Sequence, residues 1–225
     1  MYRRKLDQTD IFLIIANLFP VFGVWFLGWN ATEAFTVYAM ETLIVGMMTI
    51  LKMFVATLAR GRDEWYNHET TTMKSGFFFI VFFTLHYGIF ALVQTSIFSQ
   101  TAGITQKGKG MTHFFFHWYE YITPEISYML LAFLIGYIAK SFIPFLLSGD
   151  FRRQPMMLIM FQPYGRIFIQ QFTVILGSMF LSLGLGKVFV LVFVLAKIVF
   201  ENVIDFDKVL RVSTEEMKKK NSPQQ

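Results

Sequence analysis

The sequence contains no cysteine. A disulfide, a thiolate metal site and a cysteine nucleophile are therefore excluded. Charge is scarce as well: Asp, Glu, Lys and Arg make up 16% of the 225 residues, against about 25% in soluble domains. Recognisable reaction motifs are missing too. There is no Walker phosphate loop, no G-x-S-x-G elbow and no H-E-x-x-H pair. Neither an arginine-rich voltage sensor nor a T-V-G-Y-G filter occurs. Apolar residues fill the chain instead. They account for 55% of it, including 28 Phe, and the mean hydropathy is +0.50. Several runs approach the roughly 20 apolar residues that a helix needs to cross a bilayer. A water-soluble enzyme, a disordered chain and a fibre are excluded on this composition, and an integral membrane protein is expected. Lys and Arg number 20 against 15 acidic residues, a net charge of +5. In a membrane protein such an excess orients the chain, so membrane lipids are the expected partner and nucleic acid is not.

The expected fold is all-α: a polytopic helical membrane protein of about six transmembrane helices with short interfacial helices. The spans are expected near 11–29, 34–58, 76–98, 124–147, 166–185 and 187–206. Together they form one transmembrane domain, 1–206, followed by a polar cytoplasmic tail, 207–225. Residues 1–5 carry three basic side chains in the manner of a signal peptide. The run that follows contains Asn17 and Pro20 and lacks a small-x-small cleavage site, so it reads as a retained span. Residues 59–75 read as a polar connection and 99–112 as a loop. Pro124 suits the start of a helix, and Pro144 should bend or end it. The apolar stretch 156–161 reads as an interfacial turn of helix. Pro163 and Gly165 would then break the chain so that Arg166 starts the fifth span at headgroup level, able to meet an anionic group.

Basic residues test this layout. Thirteen of them fall on the side of the termini: Arg3, Arg4, Lys5, Arg60, Arg62, Lys74, Arg152, Arg153, Lys208, Arg211, Lys218, Lys219 and Lys220. Three, Lys107, Lys109 and Lys187, fall on the other. Both termini are therefore expected in the cytoplasm.

Ionisable groups at bilayer depth are costly and tend to face protein or water. Glu41 lies about 10 Å inside the second span, among Leu43, Ile44 and Val45. It reads equally as a packing carboxyl and as a functional one. His86 lies near the middle of the third span. Lys52 and Lys140 lie close enough to the cytoplasmic interface for their stems to snorkel out. Lys197, Glu201 and Asp205 recur every four residues on one helical face. They form either a self-neutralising stripe or a polar pocket near Arg166 and Lys52. His113, His117 and Glu120 also share a helical face at a spacing that suits a metal. Their neighbours Phe114, Phe115, Phe116, Trp118, Tyr119 and Tyr121 read as an interfacial aromatic belt without one. Gly177, Ser178, Ser182 and Gly184 offer a close helix contact, within one chain or in a homo-oligomer.

Taken together, the motifs have a precedent. The stretch from Asn17 to Trp29 (NLFPVFGVWFLGW), Glu41 to Gly46, Leu51-Lys52-Met53, His86-Tyr87-Gly88, Phe161-Gln-Pro163-Tyr164-Gly165-Arg166-Ile167, Thr173 to Gly177 and Leu195-Ala-Lys197 resemble the bacterial membrane family of unknown function DUF6498. The resemblance runs over roughly residues 15–205. It implies a bacterial inner-membrane location and no reaction. It further implies a His where Gln171 stands, and an Asp and a His where Glu201 and Asp205 stand. His86 and carboxylates would then gather into a metal or proton site, from which Gln171 departs.

The reading that follows is a small-molecule or ion binding or transport protein. Its polar path would use Glu41, His86, Tyr87, Arg166, Gln171, Lys197, Glu201 and Asp205. The alternatives are an intramembrane metal-assisted enzyme and a structural or regulatory membrane protein. No cofactor is expected. A metal ion is the one group that His86, or His113 with His117 and Glu120, would hold.

Overall fold

The computed structural model describes residues 8–66, 70–104, 109–165, 167, 176, 179–180, 183–203, 212 and 216. The chain is mostly helical, and three helices are long and apolar enough to cross a membrane: Ala31–Arg60, Gly76–Gln100 and Pro124–Leu147. They fall on the second, third and fourth expected spans. Helix α1 (Gln8–Phe26) and a late helix (Gly186–Val203) fall on the first and sixth and pack against each other. Most of the fifth expected span lies outside the described residues.

Local chemistry sets the ends of the spanning helices. Helix α2 (Ala31–Arg60) starts at Asn30, whose side chain accepts from Thr32 N at 2.9 Å, supplying a partner to a free N–H of the first turn. It stops at Gly61, whose φ of 72° is a left-handed conformation open to glycine at little cost. Helix α3 (Gly76–Thr101) is capped by Ser75, which accepts from Phe78 N at 3.2 Å. After α4 (His113–Phe116) and a 3-10 turn (Trp118–Tyr121), helix α5 (Pro124–Tyr137) starts behind Thr123 with Pro124 in its first turn, as expected. At thirty residues α2 is about 45 Å long. That exceeds a hydrocarbon core of about 30 Å, so the helix is long enough to cross one with residues to spare.

Pro144 bends its helix without ending it. A π turn (Ile138–Phe142) precedes helix α6 (Ile143–Leu147), and the N–H of Ile143 bonds to the carbonyl of Ile138. The proline ring would collide with the carbonyl four residues earlier, and the wider turn opens there.

Two expectations need correction. The fold is not purely helical, because residues 59–75 hold an antiparallel hairpin, β1 (Arg62–Tyr66) with β2 (Thr71–Ser75), in register from Arg62↔Ser75 to Tyr66↔Thr71. The pair carries no alternating apolar face, so docking supports it. Asp63 accepts from Met156 N at 2.8 Å and holds Arg60 at 2.8 Å, while Tyr66 N–H donates to Met157 Sδ at 3.1 Å. The second correction concerns residues 156–161. After the short helix α7 (Asp150–Arg153) they form helix α8 (Met156–Phe161), in which Met156 to Met160 are all buried. A short helix that is apolar all round belongs in a core. From the hairpin it climbs into the bundle, where Tyr164 reaches His86, ten residues up α3. The Pro163 break therefore lies inside the bundle, with Pro163, Gly165 and Ile167 buried around it.

Two apolar clusters fill the interior. One gathers Tyr38, Phe98, Phe114 and Phe133 at the end of the bundle near α4. The other gathers Phe79, Phe83, Tyr87, Phe145 and the α8 methionines toward the hairpin. The late helix is designated α9 (Gly186–Val203). It follows a turn in which Gly184 has φ 74° and Leu185 N–H bonds to the Phe180 carbonyl at 2.9 Å, the Schellman closure of a helix end. Gly184 thus lies in the turn before α9 rather than on a flat helix face.

Candidate functional site

Polar groups from three helices meet at one level of the bundle. Glu41 lies ten residues past the start of α2, about 15 Å along it, and is only 2% exposed. Tyr137, the last residue of α5, donates its hydroxyl to Glu41 Oε1 at 2.5 Å. One residue along α2, the Thr42 carbonyl accepts from the Tyr87 hydroxyl at 2.9 Å. Gly46 makes that approach feasible, since a Cβ there would lie 2.7 Å from Tyr87 Cε1. The Tyr87 ring is further held by stacking on Phe83 at 4.8 Å.

His86 turns elsewhere. Its Nδ1 lies 2.6 Å from the Tyr164 hydroxyl, and its ring stacks on Phe82 at 5.5 Å with 13° between planes. It is exposed, whereas Tyr87, whose ring also meets that of Tyr164 at 5.9 Å, is buried. Among the described residues no carboxylate pairs with it. The structure therefore brings Glu41 and Tyr87 into one layer and leaves His86 beside it.

Gln94 completes the layer. It is wholly buried, and among the described residues neither its amide nitrogen nor its amide oxygen has a hydrogen-bond partner. Thr42 Oγ1 and Ser96 Oγ are buried without partners as well. Nearby Thr95 and Ser99, by contrast, bond back to helix carbonyls at 2.7 and 3.1 Å. Helices α2 and α3 run antiparallel, with Gly76 against Thr57 and Tyr87 against Gly46. Seven residues beyond Tyr87, Gln94 comes opposite about position 39, within a turn of Glu41 and Thr42. Buried polar atoms normally find partners, so this concentration of unpartnered ones sets the layer apart from ordinary core.

Lys52 extends the polar face. It stands eleven residues after Glu41, three helical turns along the same side of α2. It does not snorkel: it is 9% exposed, its Nζ donates to Ser141 Oγ at 2.6 Å, and the Phe145 ring centre lies 5.3 Å away. The π turn places Ser141 to receive it. Local widenings of this kind recur at functional positions in helices.

Arg166, Gln171 and Asp205 lie outside the described residues. Lys197 and Glu201 share helix α9, one turn apart, and their side chains lie outside the description. Sequence reasoning missed Tyr137, Gln94 and Tyr164 as site residues. Gln94 carried a signal, an amide inside an apolar span. Tyr137 carried none, because only the fold brings it to a residue 96 positions away.

A second cluster sits at the α4 end. His113 Nδ1 is 3.0 Å from the Tyr121 hydroxyl, and His113 Nε2 is 3.7 Å from Glu120 Oε2. His117 Nδ1 is 3.3 Å from the His113 carbonyl, and the two imidazoles stack at 4.2 Å with 6° between planes. Burial chiefly, then Lys109 and His117, holds the His113 pKa below its ordinary 6.5, against an opposing pull from Glu120.

The P-x-x-G-V-x-x-x-G-W stretch proves to be a helix-ending device. Gly28 has φ 74°, and Trp29 folds back so that a Cβ on Gly23 would lie 1.8 Å from its ring. Trp29 N–H and Leu27 N–H both donate to the Gly23 carbonyl, at 3.0 and 3.1 Å. The family model described as a family of unknown function, DUF6498, matches residues 1–223. The chain belongs to DUF6498. No curated protein and no solved structure matches it. In this DUF6498 chain, then, the glycine–tryptophan signature closes helix α1, and the Pro163-Tyr164-Gly165 signature positions Tyr164 against His86.

Proposed function

We propose that the chain is an integral membrane protein that binds a small polar solute or ion in the layer formed by Glu41, Thr42, Gln94 and Tyr137, and passes it across the bilayer. The observation that carries the reading is Gln94. A wholly buried amide with both polar atoms unpartnered costs about 1–3 kcal/mol, and a bound polar guest would recover it. Glu41 in the same layer supplies a carboxyl for a cation or a proton relay. On this reading six helices span the inner membrane of a bacterium with both termini in the cytoplasm, and Arg166, Gln171, Lys197, Glu201 and Asp205 extend the path. Support comes from the grouping of Arg60, Arg62, Lys74, Arg152 and Arg153 around the hairpin end, where the cytoplasmic side is expected.

The test is an imposed proton gradient across liposomes that hold the full chain and a pH-sensitive dye. Wild type should dissipate the gradient, and Glu41→Gln and Glu201→Gln should abolish that signal while the protein stays folded. Unchanged dissipation in both variants removes the path. A packing role is the second reading, favoured by the Glu41–Tyr137 and Lys52–Ser141 bonds. It calls for loss of stability in the variants with no flux in wild type.

A further inference from the structure

The cluster at the α4 end carries an inference independent of the polar layer. We propose that His113, His117 and Glu120 form a three-ligand site for a divalent transition metal of the zinc class, with a fourth position open to water. One ligand atom from each residue lies within 4.8 Å of the others. The closest approach that can be read between two of them is the 3.7 Å from His113 Nε2 to Glu120 Oε2. That is too long for a hydrogen bond. It is close to the separation of about 3.4 Å expected for two ligands each about 2.1 Å from one tetrahedral ion.

Hydrogen bonding around the rings points the same way. A carbonyl oxygen only accepts, so the contact of His117 Nδ1 with the His113 carbonyl puts the hydrogen on Nδ1 and leaves a lone pair on Nε2. Tyr121 occupies His113 Nδ1, while His113 Nε2 is buried with no hydrogen-bond partner. Both imidazoles are thus held from one nitrogen, and with His113 Nδ1 donating to the Tyr121 hydroxyl both Nε2 atoms face a metal, as the outer partners of metal-bound histidines arrange. Parallel stacking at 4.2 Å keeps the two imidazoles side by side, within reach of one ion. Glu120 is one-third exposed and leaves a route for water. Lys109, an adverse charge nearby, is exposed to solvent, where salt screens it. An aromatic belt accounts for the phenylalanines and Trp118 but not for the convergence of two imidazoles and a carboxylate.

The test uses the full chain without an affinity tag, stripped with chelator in detergent micelles and titrated with Co²⁺ and then Zn²⁺. Wild type should take up one Co²⁺ per chain, develop the visible bands of a tetrahedral cobalt site, and release it to Zn²⁺. Fluorescence of Trp118, between two of the ligands, should be quenched as Co²⁺ binds. His117→Ala and Glu120→Gln should each weaken binding at least tenfold with the metal-free melting curve unchanged. Tyr121→Phe should weaken it about 10–100-fold, and His68→Ala should leave it unchanged. If His117→Ala misfolds, Glu120→Gln, a conservative change on an exposed side chain, decides. Equal uptake by wild type and Glu120→Gln, or no stoichiometric uptake by wild type, overturns the proposal.

Discussion

Tyr137→Phe removes one buried hydroxyl and keeps the ring that packs in the core with Met129 and Phe133. The lost bond is the 2.5 Å contact to Glu41, whose side chain is almost fully enclosed. Removing one partner of a buried hydrogen bond costs about 1–3 kcal/mol. Hydrogen bonds between membrane helices, measured by mutant cycles, average about 0.6 kcal/mol and reach about 1.7. Water is scarce at this depth, so a value of about 1–2 kcal/mol is expected. The assay is reversible unfolding in mixed micelles of wild type, Tyr137→Phe, Glu41→Leu and the double variant, since Leu, unlike Gln, leaves the Tyr137 hydroxyl no acceptor at position 41. Because the two side chains share one bond, the two losses should not add, with a coupling of about 1 kcal/mol. Distant, independent sites add within about 0.3–0.5 kcal/mol. Additivity inside that margin would mean that the Tyr137–Glu41 bond does not form in solution, and the layer would lose its anchor.

Gly46→Ala should destabilise the fold by about 1–3 kcal/mol, because its Cβ would meet Tyr87 at 2.7 Å; melting curves check this, and Tyr87→Leu in the same chain should recover most of it. Asp63→Ala removes the partner of both Arg60 and the first N–H of α8, a loss of about 0.5–2 kcal/mol that should appear as faster proteolysis within residues 62–75. Acid should weaken the fold through His113. Its folded pKa lies below 6.5, so the unfolded chain takes up a proton first and stability falls as pH drops from 6.5 to the lowered value. His113→Gln should remove that part of the slope in a pH series of melting temperatures.

Helices α2, α3 and α5 were legible in the sequence because each is a long apolar run, with Pro124 marking the start of α5. The hairpin was not, since its strands hold together by docking Asp63 and Tyr66 onto α8 rather than by alternation. Residues 156–161 misled for a related reason. A six-residue apolar run looks the same at an interface and in a core, and only Tyr164 meeting His86 shows which. Glu41 was legible as a polar group inside an apolar helix, because it stands among Leu, Ile and Val; its partner Tyr137 was not. Lys52 was misjudged because depth alone allowed snorkelling, while Ser141, 89 residues away, draws the amine inward. Partners so distant in sequence leave no trace in spacing.

The most direct test of the bound guest is a high-resolution cryo-EM map of the protein in lipid nanodiscs. The account predicts density that is not protein within hydrogen-bond distance of the Gln94 amide, lost in Gln94→Leu together with gradient dissipation. A Gln94 amide enclosed by protein alone, with Gln94→Leu more stable and equally active, would contradict it.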